Sequence, residues 1–186
     1  IQSGATHMDG QLPINPSGGV IAKDASGQPT GALYNHRAMD VVRRFAPGVD
    51  DALIRQSILD TQAQMAACGV TTVQDNNVRS SSEIKAYQDL TRSGQFYLRN
   101  NIFMTMEWPQ DLERITEVEY LQEGNTRFNG FKFLIDGQMP TAFCHEPHNG
   151  TAWNVSTWEA KSFKNAVRTL HDTGLQISVH CFGDAA

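Results

Sequence analysis

A chain of 186 residues, 40% hydrophobic and 19% charged, has the composition of a folded domain and not of a disordered segment. It is shorter than the roughly 250 residues of a complete eight-stranded α/β barrel. Its formal net charge of −5, without any basic run, argues against nucleic acid, and no apolar run reaches the roughly 20 residues of a membrane span. Cys68, Cys144 and Cys181 are odd in number and widely spaced, which suits a reducing compartment better than a disulfide framework or a zinc finger. The start, Ile1-Gln2-Ser3-Gly4, has neither an initiator methionine nor a signal-peptide pattern. The expectation is an internal piece of a longer cytoplasmic chain, or a processed one, and His7 in Thr6-His7-Met8 carries no weight.

Residues 1–19 are rich in Gly, Pro, Ser and Asn and read as an irregular opening segment. Val20–Ala22 and Gln28–Leu33 flank an Asp-Ala-Ser-Gly turn and predict a hairpin, an appendage to the main body. The expected division is therefore 1–34 for the opening segment and hairpin, and 35–186 for the main body. His36 to Phe45 has helical spacing and stops before Pro47; His36 reads as a polar end residue.

From there helices and strands alternate. Asp50 or Asp51 caps a helix to about Ala67, with Leu53, Ile58 and Met65 expected on its buried face and Gly69 at its end. Val70 to Asp75 is a β-branched strand. Ser80–Ser82 open a helix to about Ser93, closed by Gly94, and Phe96–Met106 is the next strand. Pro109–Tyr120 reads as a helix with Gly124 after its end. Gly130–Gly137 is a third strand, Gln138–Val155 a long loop, Ser156 or Thr157 the cap of a helix to about Asp172, and Leu175–His180 the fourth strand. Units repeating every roughly 30 to 45 residues predict a parallel sheet or a barrel.

The strands end in polar residues: Gln74-Asp75-Asn76-Asn77, Glu107-Trp108, Asp136-Gly137 and His180. Parallel strands collect their C-terminal ends on one side, where α/β folds place their chemistry. A neutral imidazole at His180 is a good zinc or iron ligand; the plain alternative is a histidine that caps its strand. Lys132 is out of place in Phe131-Lys132-Phe133-Leu134-Ile135, since lysine is seldom buried without a partner. Alternation sends Lys132, Leu134 and Asp136 to one side and Phe131, Phe133 and Ile135 to the other. The lysine is open to four readings: a catalytic amine, a counter-ion for Asp136, a carboxylated lysine holding metal, or an exposed residue on an edge strand. His145-Glu146-Pro147-His148 has the wrong spacing for the helical zinc motif and reads as loop. Asn149-Gly150-Thr151 and Asn154-Val155-Ser156 match the glycosylation pattern by chance, and Trp153 and Trp158 either line a pocket or pack beneath the loop.

Taken in order, Gly19-Val20-Ile21 to Asp24, Gly27-Gln28-Pro29-Thr30-Gly31, Gly69 to Asp75, Phe131 to Gly137 and Gly174 to Asp184 resemble the amidohydrolase superfamily, in the branch of amidohydrolase-3 and N-substituted formamide deformylase-like proteins. The resemblance runs from about residue 18 to the end. It implies an α/β fold, a partial (β/α)₈ TIM-like barrel of about four parallel βα units, strands two to five, with an N-terminal hairpin appendage. It implies one or two divalent metals, zinc by expectation, with His180 as the fifth-strand histidine and Lys132 as the fourth-strand lysine that is carboxylated and bridges two metals. The family's His-x-His pair is absent; its sixth-strand histidine and its eighth-strand aspartate, the general base, would fall beyond Ala186.

The expected function is hydrolysis of a non-peptide C–N bond of a small molecule by metal-activated water, in a longer protein of which this chain is a central, by itself inactive, part. The competing expectations are a metal-free α/β module that binds a ligand or partner, and a barrel enzyme with a Schiff base on Lys132. Open sheet edges and an uncovered apolar face lead to the expectation of a homo-oligomer, with no nucleic-acid or membrane partner.

Overall fold

The computed structural model describes residues 14–117, 122–148 and 153–186. The chain falls into two compact units. One comprises 1–47, 135–157 and 181–186; the other comprises 48–134 and 158–180. The boundary at 34/35 expected from the sequence lies inside the first.

In the first unit, β1 (Val20–Lys23) and β2 (Pro29–Tyr34) form the antiparallel hairpin. Asp24 holds its turn: one carboxylate oxygen accepts the Ser26 and Gln28 amides at 2.8 and 3.0 Å and the Ser26 hydroxyl at 2.6 Å. These bonds favour the ionised form, the Ser26 hydroxyl first, and hold the Asp24 carboxyl below its ordinary range. Helix α1 (Asn35–Arg43) comes directly after the hairpin, with His36 in its first turn.

The second unit is α/β. Helix α2 (Asp51–Ala67) is capped by Asp50, which accepts the Leu53 amide, and ends before Gly69 at φ 80°. Strand β3 (Thr72–Val78) leads to α3 (Ser81–Arg92), whose Ser80 and Glu83 form a reciprocal capping box. Then come β4 (Arg99–Met106), a 3₁₀ helix (Pro109–Glu117), β5 (Gln122–Glu123), β6 (Thr126–Leu134), α4 (Ala160–His171) and β7 (Gln176–His180). Strands β3, β4, β6 and β7 are parallel and adjacent in that order; β5 turns back antiparallel on the start of β6.

Several expectations need correction. The α-helix at Pro109–Tyr120 is a 3₁₀ helix to Glu117, and its expected end lies outside the described residues. Gly124 sits in the β5–β6 hairpin turn, not after a helix. The third strand starts and stops earlier than expected, so Ile135 and Asp136 leave it. Ser156 and Thr157 do not cap α4: Ser156 bridges to Asp136 and the Thr157 amide bonds the Ile135 carbonyl. Glu159 is the cap, accepting the Lys161 and Ser162 amides at 3.0 and 2.9 Å.

The buried face of α2 is only partly the one expected, since Ile58 packs on the core. Leu53 and Met65 are exposed, and the most buried residue is Gln62. Its amide donates to the Gln95 carbonyl at 2.7 Å and accepts the Tyr97 amide at 2.9 Å. A polar side chain with both ends bonded to backbone tolerates burial that periodicity assigns to an apolar one. Around it Leu90, Phe96 and Leu98 form a core with Ile58, Leu59, Ala66, Val73 and Tyr87 packed on it.

Candidate functional site

Strand β6 positions the lysine. Phe131 and Phe133 are fully buried, and Phe133 meets Trp158 and Phe163 edge-on at 5.2 and 5.3 Å between ring centroids. Phe128 and Phe131 make a like contact at 5.6 Å. With its aromatic residues committed to the helix side, the strand turns Lys132 and Leu134 to the other. Gly130 allows β7 to come this close: a Cβ there would overlap the Gln176 carbonyl.

In the β6–β7 register Lys132 pairs with Ser178 and Leu134 with His180. Parallel partners project the same way, so Lys132 and His180 share one face of the sheet, on adjacent strands about 4.8 Å apart and two residues out of level. Lys132 is half-buried and forms no ion pair among the described residues; His180 is half-buried with Nε2 shielded from solvent. Because β6 lies between β4 and β7, the edge-strand reading of Lys132 does not hold.

The face continues across β4. Thr105 is the register partner of Lys132 on that side, and its hydroxyl donates to the Asn76 carbonyl at 3.1 Å. Two residues on, Glu107 is 5% exposed and accepts Arg79 Nη1 at 3.1 Å. Arg79 Nε donates to Asn77 Oδ1 at 3.0 Å. Arg114 ties the two strand ends together by donating to the carbonyls of Arg79 and Thr105. Sequence reasoning marks Asn77 and Glu107 only as strand ends, and it misses Thr105, Arg79 and Arg114. Alternation from Thr105 to Glu107 is the available signal; the reach of two arginines from outside the strands leaves none.

Two strand-end acids have partners of their own. Asp75 pairs with Ile102, on the Phe131 side of the sheet, and accepts the Tyr87 hydroxyl at 2.9 Å. Burial first, then the Asp75 charge, pushes the Tyr87 phenol above its ordinary value. A register shift between Asp75 and Val78 brings Asn77 to within 3.4 Å of the Thr105 hydroxyl. Asp136 belongs to the first unit, where its buried carboxylate accepts the amides of Phe143, Phe182 and Gly183 at 3.2, 3.0 and 2.7 Å. Both its oxygens are thus taken by backbone, not by an ammonium. Gly183 is required there, since a Cβ would overlap the Phe143 backbone.

The loop histidine His145 is fixed through its backbone, its amide bonding Asp184 at 2.9 Å. Asn154 clamps Cys144, accepting its amide at 2.7 Å and donating to its carbonyl at 2.8 Å, which occupies the side chain of that glycosylation pattern. The other, Asn149-Gly150-Thr151, lies outside the described residues. Trp153 stacks near Tyr34 at 5.2 Å. The three cysteines are free thiols, and no helix among the described residues is long and apolar enough to cross a membrane.

A model of the amidohydrolase family matches residues 6–186. The chain belongs to the amidohydrolase family. It is 24% identical over 180 residues to the putative amidohydrolase YtcJ of Bacillus subtilis, covering 92% of this chain and 33% of that protein. It is 25% identical over 194 residues to Protein LONG AFTER FAR-RED 3 of Arabidopsis thaliana, covering 94% and 32%. In fold it resembles an uncharacterized metal-dependent hydrolase from Pyrococcus horikoshii OT3, with a TM-score of 0.66 and 19% identity over 80% of this chain and 31% of that one. The chain spans about a third of the length of the relatives it matches.

On this face of the sheet the side chains whose chemistry suits a divalent metal are His180 and, in carboxylated form, Lys132. Among the described residues no three His, Cys, Asp or Glu side chains form a group able to hold a metal ion. A catalytic zinc site takes three protein ligands. His180 qualifies as one through a neutral imidazole nitrogen. An ammonium has three donors and no acceptor, so Lys132 qualifies only once carboxylated.

Proposed function

We propose that this amidohydrolase chain is the central part of a metal-dependent enzyme that hydrolyses a non-peptide C–N bond of a small molecule. In this reading β3, β4, β6 and β7 are the second to fifth strands of a (β/α)₈ barrel whose remaining strands lie outside the chain. The observation that carries it is the placement of Lys132 and His180 on one face of adjacent parallel strands, near their C-terminal ends.

His180 and the carboxylated Lys132 would hold a divalent metal, zinc by expectation, which would lower the pKa of water to about 7 and polarise the scissile carbonyl. His180 donates a ring-nitrogen lone pair. Lys132 contributes after its neutral amine attacks carbon dioxide: an N–C bond forms, one C=O electron pair moves to oxygen, and a proton leaves nitrogen for solvent. The resulting carbamate is a negative, two-oxygen ligand at a depth where the lysine stem is needed for reach. Thr105 and Ser178, its register partners, flank it with hydroxyl groups, and the Glu107–Arg79 pair shapes the same end of the sheet. The residues that move the proton between water and leaving nitrogen come from outside this chain.

The test is the metal content of the full-length protein. Lys132→Ala and His180→Ala are each expected to lose at least one metal per chain while circular dichroism stays native, and Lys132→Glu to recover part of the loss. Unchanged metal content in both alanine variants would sink the assignment. A full-length protein that takes up no metal and cleaves no amide would instead support the metal-free binding module.

A further inference from the structure

The face that carries Lys132 has a second feature at the opposite, N-terminal end of the strands. Arg99 opens β4, and Arg127 near the start of β6 is the register partner of Asn101. Arg99 and Asn101 are two apart on one strand, so all three side chains share the face. One strand spacing and two residues separate the arginines, about 8 Å between backbones. With Thr72, Gln122 and Asn125 they line a recess of about 300 Å³.

Neutral groups orient both guanidiniums. Arg99 donates from Nε to the Thr72 hydroxyl at 2.8 Å and from Nη2 to the Thr71 hydroxyl at 2.9 Å. Arg127 donates to Gln122 Oε1 at 3.4 Å. Hydroxyl and amide oxygens aim a guanidinium without cancelling its charge. Among the described residues neither arginine has an acidic partner, and no Asp or Glu lines the recess. Among the described residues the nearby acid, Glu123, is turned away: it is the register partner of Thr126, on the opposite face, and bonds Arg92 there at 3.0 Å. Two adjacent cations with no counter-charge among the described residues, in a chain of net charge −5, mark a place for an anion.

We propose that this recess binds an oxyanion, a carboxylate or phosphate group, held by the two guanidinium forks beside Asn101. It is separate from the candidate hydrolytic site, because the β4 partner of Lys132, Thr105, lies six residues further along the strand, about 20 Å away. The oxyanion comes from one of two sources: a free small anion, or an acidic side chain of polypeptide outside this chain.

The experiment titrates inorganic phosphate into the full-length protein by calorimetry and follows thermal unfolding of wild type, Arg99→Gln, Arg127→Gln, the double variant and Arg92→Gln. With a free anion, phosphate binds and raises Tm, and its affinity falls about tenfold or more in the Arg99 and Arg127 variants but not in Arg92→Gln. With an internal carboxylate, phosphate does not bind; each single variant lowers Tm more than Arg92→Gln does, and the double variant loses little beyond the larger single one, because both arginines grip one group. Phosphate binding that survives both substitutions would overturn the proposal. So would a lack of binding together with unchanged Tm, or with losses that simply add.

Discussion

On one face of β6, Phe131 and Phe133 are fully buried and meet other aromatic rings edge-on. On the other, one residue along, Lys132 lies half-buried between Thr105 and Ser178 without an ion pair among the described residues. The same backbone serves both, yet their energetics are opposed. Each buried phenylalanine contributes roughly 1.5–3 kcal/mol of hydrophobic transfer energy. A half-buried amine with no counter-charge among the described residues contributes nothing of the kind and carries a desolvation cost. A strand selected for stability alone would hold an apolar residue there. On β6 the departure from the apolar pattern falls at Lys132, the residue offered for the metal.

The contrast between the faces can be broken by substitution. The largest effect is expected at Gly130→Ala, where the new Cβ meets the Gln176 backbone and separates β6 from β7. A loss of about 4–5 kcal/mol in urea unfolding is expected; a variant as stable as wild type would mean that the two strands are not held at this spacing. Phe133→Ala should cost about 3–5 kcal/mol, with the metal content of the protein that still folds unchanged. Loss of metal in that variant would show that the aromatic face is not separable from the other.

Tyr87→Phe, on the helix side, should cost about 1 kcal/mol at neutral pH by removing the bond to Asp75. The phenol is raised in the fold, so its contribution is complete below the unfolded value of about 10 and declines as pH rises above it. Wild type should therefore lose stability between pH 10 and 11 relative to Tyr87→Phe; parallel profiles would contradict the buried phenol. The smallest effect on stability is expected at Lys132→Met, within about 0.5 kcal/mol of wild type. A loss of more than about 2 kcal/mol, read from the same unfolding curves, would make the lysine a structural residue and remove the contrast between the faces.

Local chemistry made much of the secondary structure legible. The Asp50 and Ser80 caps, the glycines after α2 and α3, and the β-branched and aromatic alternation in the strands act within a few residues, so the sequence announces them. The same holds for the sides taken by Phe131, Lys132 and Phe133, which follow from a period of two. The order of motifs carried the family as well, and with it the two residues offered for the metal.

What depends on distant partners was decided only by the tertiary structure. Gln62 is buried on α2 because Gln95 and Tyr97, more than thirty residues away, satisfy its amide. A register shift in β3 puts Asn77 beside Thr105, while Asp75 turns to Tyr87. Asp136 serves three backbone amides of later segments, and Arg79 and Arg114 reach the end of β4 from outside the sheet. Propensity and periodicity are properties of neighbours along the chain. Strand adjacency, register and the pairing of buried polar groups are properties of neighbours in space, and those exist only once the chain has folded.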